Sequence, residues 1–331
     1  MKLLRILVTL LALGGVTALV LASRLTARPI TALAAIQPSM NFAYVRIQGL
    51  ITQYPIVDEK RESVSFRLVA ESGSGNGNEY PNSDIRVNAY GAVARDLLAR
   101  QQVPKPGQRI DLEGTLRIRD DEASLVLNSA EAMHISVPET NAIELNGLDA
   151  MSVGARVSTQ GQVREIRVLK GMKLITLRDD SAVTTLLLPE ALESAQATNI
   201  GTWISVTASV GEFRDSKQLL PGSASDIQVI AMPAPQLRDI DNLGESLVGQ
   251  WVTVRAHVSD LRPFKQGMRI TLIDESSNAE IDGVMFDREW DRVPFSQTLS
   301  VGDVIFMRGE LGAYRKKIEL HPELASDVWQ P

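Results

Sequence analysis

The chain has 331 residues, 44% apolar and 22% charged, with a net charge of −6. That length suits two or three domains, and the apolar share suits packed cores rather than disorder. The acidic balance argues against a dedicated duplex-DNA binder, and the absence of cysteine excludes disulfides, thiolate metal sites and cysteine nucleophiles.

Lys2 and Arg5 precede an uncharged run, residues 6–23, that Arg24 ends. Eighteen residues at helical rise reach roughly 27 Å, enough for a hydrocarbon core. Three readings fit residues 1–24: a membrane anchor, a cleaved signal peptide with small residues at Val20-Leu21-Ala22 or Ala32-Leu33-Ala34, or a buried soluble helix. The length of the run and the flanking Arg24 and Arg28 favour the single-pass anchor; positive charge is nearly tied across it, and a short leading arm before a large domain puts the remaining chain on the extracytoplasmic side. Residues 25–41, with Pro29 and Pro38 and little periodicity, read as a linker.

From residue 42 onward one unit recurs three times. Segments starting at Gly107, Gly201 and Gly302 align without gaps over nineteen positions. Apolar residues coincide at alternate positions: Ile110, Ile204 and Ile305, then Leu112, Val206 and Met307, then Leu116, Val210 and Leu311. Period two marks a half-buried strand, and the small residue inside each, Gly114, Ala208 or Gly309, marks the bend of a barrel corner.

Upstream, each copy has a strand ending in an acidic residue and a serine: Glu71-Ser72, Asp180-Ser181 and Glu275-Ser276, which is turn chemistry. First strands precede these at Tyr44 to Ile51, Ala155 to Val163 and Trp251 to Val258. Helical stretches fall between the third and fourth strands at Ala92 to Arg100, Pro189 to Ala197 and, with poorer helix formers, Asp287 to Ser296. The predicted fold is mainly β: three tandem five-stranded OB-type Greek-key barrels after an N-terminal transmembrane helix. The repeats span 42–138, 146–232 and 244–331.

The repeats resemble the OB-fold nucleic-acid-binding superfamily, of the tRNA-anticodon-binding type, and the whole chain resembles membrane-anchored bacterial proteins with tandem OB repeats. The residues that carry this are glycine-bearing first strands (Val45 to Gly49, Ser158 to Val163), Lys170-Gly171 through Asp180, Gln266-Gly267 through Glu275, and Gly302 to Gly309. In the third copy His257 stands where a glycine is expected. The resemblance implies binding through the outer face of the second and third strands and through the loops joining strands one to two and four to five.

On that basis the first repeat offers a face. With Val45, Ile47, Phe66, Leu68, Ile85 and Val87 inward, alternation turns Tyr44, Arg46, Arg67, Arg86 and Tyr90 outward, a set suited to phosphates and stacked bases. The third repeat carries Arg262, Phe264, Lys265 and Arg269 in its first loop and Tyr314, Arg315, Lys316 and Lys317 in its last hairpin. The whole third repeat is nevertheless acidic, so attraction there is local. In the second repeat Thr184, Leu186 and Leu188 read as an outward apolar stripe that packs on a neighbour.

The expected ligand is single-stranded DNA or RNA, or a similar polyanion. The alternative is a cell-envelope scaffold or adaptor that contacts protein or glycan partners. No enzyme is expected: the three histidines, His134, His257 and His321, form no HExxH pair, and no nucleophile–base–orienter set is visible. No cofactor or metal is expected either. The acidic pairs Asp120-Asp121 and Asp179-Asp180 lack the glycine and terminal glutamate of a calcium loop and suit strand-end turns.

Overall fold

The computed structural model describes residues 28–70, 84–120, 122–192, 199–315 and 317–331. The predicted membrane segment, residues 6–23, lies outside them. No helix among the described residues is long and apolar enough to cross a membrane. The chain forms two compact units that divide between Val137 and Pro138.

In the first unit the strands are β1 (Tyr44–Ile51), β2 (Ile56–Asp58), β3 (Ser63–Val69), β4 (Asp84–Tyr90), β5 (Arg109–Arg119), β6 (Glu122–Leu127) and β7 (Met133–Ser136), with α1 (Gly91–Ala99) after β4. Their order is β1-β3-β4-β6-β5, and β5 returns to pair with β1 and close the barrel. All of these pairs are antiparallel except β4–β6, which is parallel. That circuit is the Greek key of an OB-type barrel. Val45, Ile47, Phe66, Leu68, Ile85 and Val87 all point into its core. Ala94 and Leu97, three residues apart on α1, are buried in the same core.

The second unit repeats the circuit twice. Its strands are β8 (Thr140–Ala142), β9 (Arg156–Leu169), β10 (Met172–Arg178), β11 (Val183–Pro189), β12 (Trp203–Phe213), β13 (Ser216–Leu220), β14 (Ile227–Val229), β15 (Trp251–Phe264), β16 (Gly267–Ile273), β17 (Glu280–Phe286), β18 (Val304–Tyr314), β19 (Lys317–His321) and β20 (Val328–Trp329). A short helix α2 (Asp287–Trp290) follows β17. The second barrel closes through β9–β12 and the third through β15–β18, with β11–β13 and β17–β19 parallel. After β11 only a 3-10 turn, Glu190–Leu192, is described of the helix expected there.

The corner residues behave as close crossings require. A Cβ on Gly114 would stand 2.2 Å from Leu125 Cδ2 and 2.6 Å from the Val126 carbonyl oxygen. The turns after β10 and β16 are built by aspartates. Asp179 Oδ1 accepts from the Ser181 N–H and hydroxyl at 2.7 Å each, and Asp274 Oδ1 does the same with Ser276. Those bonds hold the Asp274 carboxyl below its ordinary value.

Four expectations change. The stripe Thr184, Leu186 and Leu188 points into the second barrel, where all three are buried, while Val183 is exposed. Both phases of that strand carry apolar residues, so period two could not choose the inward face. The first-strand small residue of the third copy is Ala256, not His257. Ala256 pairs with Ile305 as Gly161 pairs with Ile204 and Gly49 with Ile110. The stretch from Arg262 to Arg269 is a hairpin rather than a loop, with Lys265 and Gln266 as its turn. A bulge at Ser259 lets β15 continue outward beyond the barrel, as one at Arg164 does for β9.

The fourth change concerns the linkers. Each barrel is preceded by a strap that bridges its first strand in parallel: Ile30 to Arg46, Thr140 to Arg156, and Leu237 to Thr253. The backbone N–H of Thr31, Ile143 and Arg238 then donates to the carbonyl of Arg46, Ser158 and Thr253. Two residues on, Leu33, Leu145 and Ile240 are buried in their barrel cores, followed by Ile36, Leu148 and the half-buried Leu243. The described residues from Ile30 therefore belong to the first barrel rather than to a spacer.

Within the second unit a buried ionic cluster joins the second and third barrels. Arg178, at the end of β10, is 1% exposed. Its Nη2 lies 2.5 and 2.6 Å from the Asp327 carboxylate, its Nη1 3.0 Å from Glu323, and its Nε 3.0 Å from Gln162 Oε1. Arg164 also reaches Glu323 at 2.7 Å, and Gln162 donates to Ser326 at 3.0 Å. Arg308, buried in the third barrel's wall, pairs with Asp180 of the second at 2.7 Å. Burial pushes the Arg308 guanidinium below its ordinary value, and Asp180 opposes that shift.

Candidate nucleic-acid interface

Strands β3, β4 and β6 turn their outer residues toward a groove of about 1060 Å³ on the first barrel. Strict alternation explains the lining: Arg67 on β3 pairs in register with Arg86 on β4, and Arg86 with Ser124 on β6. Two arginines side by side repel each other. Asp84 relieves this by binding Arg67 at 2.5 Å. Arg86 is exposed and has no hydrogen bond or ion pair among the described residues.

Tyr90, 56% exposed at the end of β4, lines the same groove. Arg117 and Arg119, from the outer end of β5, complete it. Arg117 lies over the Phe42 ring at 4.5 Å, and Arg119 is exposed with no partner among the described residues. The nearby acids Asp84, Asp120 and Glu122 leave a slight basic excess.

Of the five first-repeat residues singled out from sequence, Arg67, Arg86 and Tyr90 come together here. Tyr44 and Arg46 face outward on β1 but do not line the groove. Arg46 grips both Asp111 oxygens, at 2.8 and 2.6 Å. Tyr44 lies under Arg28, 4.3 Å from ring centroid to guanidinium, and burial with Glu113 pushes its phenol up.

The Arg46 hydrogen bond holds the Asp111 carboxyl below its ordinary 3.8, with desolvation opposing. A lowered folded-state value means that the folded barrel binds fewer protons than the unfolded chain. The stabilisation is thus complete above 3.8 and disappears as pH falls through the lowered value. Urea unfolding at pH 7 and near pH 3 checks this: acid is expected to shift the wild-type midpoint more than that of Arg46→Met. Equal acid shifts would remove the coupling.

In the third barrel the candidate residues are dispersed and largely engaged. Arg262 pairs with Asp260, and Arg269 with Asp282 and Glu319 at 3.3 Å each. Phe264 stands edge-on to Phe286, with ring centroids 6.3 Å apart, and Lys265 sits in the turn beside it. Lys317 lines a smaller groove of about 340 Å³ with Thr271, Glu280 and Asp282. Lys316 lies outside the described residues.

Sequence reading missed a feature of the last hairpins. Arg315 lies over the Tyr314 ring at 5.2 Å, and Arg214 over Phe213 at 5.2 Å in the second barrel. Both arginines occupy left-handed turn positions, φ 48° and 50°. The aligned position in the first barrel, Asp120, has φ 51° but follows Arg119 rather than an aromatic residue. The gapless alignment of the three hairpins contained that signal.

No protein-family model matches the chain, and no match is found among curated proteins. Solved structures similar to it include an OBody bound to hen egg-white lysozyme, 20% identical over 30% of this chain and 96% of that one, at a TM-score of 0.26. Aspartyl-tRNA synthetase from Entamoeba histolytica is 19% identical over 26% of this chain and 20% of its own, at 0.24. The S. pombe Stn1-Ten1 complex is 17% identical over 22% and 52%, at 0.20. At such values the likeness adds nothing to the strand circuit, which by itself defines the barrels as OB type.

Proposed function

We propose that this chain is a non-enzymatic binding protein whose first barrel takes up single-stranded nucleic acid, or a similar polyanion, along the groove of β3, β4 and β6. The observation that supports this most directly is that Arg86 and Arg119, which have no partner among the described residues, share one groove with the exposed Tyr90. Phosphates suit guanidinium forks, and bases stack on a phenol ring. The third-barrel candidates contribute less in this reading, because acidic neighbours hold Arg262 and Arg269.

Fluorescence anisotropy with a labelled oligothymidylate across a salt series tests the proposal. Each of Arg86→Ala and Arg119→Ala is expected to flatten the log–log salt slope by about 0.7, the value for one single-strand phosphate contact. Tyr90→Ala is expected to weaken binding by about 1–3 kcal/mol. Salt-insensitive binding, or slopes that ignore both arginines, would contradict the proposal.

In the same reading residues 6–23 tether the barrels to a membrane and the barrels lie outside the cytoplasm. Protease accessibility in intact cells checks that arrangement. The second reading, an envelope adaptor for protein partners, draws on the second barrel's hairpin tips. There Val168, Leu169 and Phe213 are exposed by 73%, 55% and 62%. Pull-down with Phe213→Ser as control separates the two readings.

A further inference from the structure

We propose that the cleft between the second and third barrels is a binding site for a neutral, hydroxyl-rich ligand of the saccharide class. The cleft measures about 920 Å³ and is walled by β9, β12, the Asp179 turn, the third strap and the start of β15. It is separate from the arginine groove, which belongs to the first unit.

Three observations carry the assignment. Two indoles, Trp203 and Trp251, line the cleft. Arg308 lies 5.1 Å from the Trp203 ring centre and 5.7 Å from that of Trp251, and Arg178 lies 4.2 Å from Trp251. Those arginines are themselves anchored by Asp180 and Asp327, so the rings are held in place. Rigid aromatic rings receive the C–H faces of sugars at little entropic cost.

The hydrogen-bonding groups open to the cleft are Gln160 and Ser205, while the unpartnered polar atoms behind them are sealed from solvent. The hydroxyls of Thr253 (1% exposed) and Thr159 (5% exposed) and the Trp203 Nε1–H have no hydrogen-bond partner among the described residues. Beside them Gln160 and Ser205, in register across β9 and β12, line the cleft and are not buried. Amides and hydroxyls both donate and accept, which matches sugar hydroxyls.

Charge decides against the polyanion of the first barrel. Glu144, Asp179 and Asp180 line the cleft against a single lining cation, Arg238. Asp180 is neutralised by Arg308, and Asp179 is bound into its turn, so neither demands a cationic ligand. A neutral polar ligand remains the best fit for a pocket of this size.

The test is calorimetric titration of the full chain with chitotetraose, maltotetraose and cellotetraose, followed in parallel by tryptophan fluorescence. At least one is expected to bind saturably, with little response to salt. The double variant Gln160→Ala/Ser205→Ala is expected to weaken that binding about tenfold or more without moving the urea midpoint, since neither side chain is part of the buried core. Arg86→Ala should leave it unchanged. Failure of all three sugars to bind below about 10 mM would overturn the assignment. So would sugar binding that survives the double variant, or loss of oligothymidylate binding in it.

Discussion

Replacing Arg178 with methionine is expected to destabilise the second unit by about 3–5 kcal/mol, the cost of stranding a buried charge. Asp327 is fully buried, and Arg178 is its only cationic partner among the described residues. After the replacement the carboxylate retains the backbone N–H groups of Glu323 and Leu324, at 3.0 and 2.8 Å, which soften the loss without cancelling it. Adding Asp327→Asn to the methionine variant removes the stranded charge and keeps an acceptor for both N–H groups. The double variant should therefore regain most of the lost stability, as matched replacement of buried pairs does. Urea denaturation of the wild type, the single and the double variants measures both effects. A single-variant cost within about 1 kcal/mol would show that the cluster is solvated rather than buried.

Leu33→Ala is expected to cost about 2–5 kcal/mol in the first unit, the range for truncating a buried leucine. Leu33 is 3% exposed and packs with the barrel core, although it precedes the first barrel strand by eleven residues. Were the segment a spacer, truncation would be neutral. The equivalent Leu145→Ala should cost a similar amount in the second unit, because Leu145 is also 3% exposed in its own core. Unequal costs would mean that the straps are not equivalent elements. A cost near zero at both positions would detach the straps from the fold.

The barrels were legible because their strands obey the simplest rule of sheet chemistry. Alternation placed Val45, Ile47, Phe66 and Leu68 inward, and the aligned small residues fell at the crossings where Gly114 and Gly309 leave no room for a side chain. The straps escaped because single bridges and 3-10 turns have no periodicity. Their only trace is the recurrence of Leu33 and Ile36 as Leu145 and Leu148, and as Ile240 and Leu243. Arg262 and Phe264 read as loop residues, yet they lie in the hairpin, opposite Arg269 and Gly267.

The groove was half legible for a related reason. Arg67, Arg86 and Tyr90 follow from alternation on adjacent strands. Arg117 and Arg119 were hidden in a segment read for its alternating apolar residues, and Arg46 was bound by Asp111, 65 residues away. The joint between the second and third barrels was not visible at all. Arg178 falls just before the acidic strand end Asp180-Ser181, and only the folded chain brings it to Asp327, 149 residues on.

The proposal that the first barrel's groove holds a single strand is tested most directly by photo-crosslinking. A 5-iodouracil-substituted RNA is irradiated with the full chain, and the adducts are mapped by mass spectrometry. The account predicts adducts on the β4 peptide that contains Tyr90, lost when Arg86 and Arg119 are both replaced by alanine. Adducts confined to Phe213 or Tyr314, or none on β4 under low salt, would contradict it.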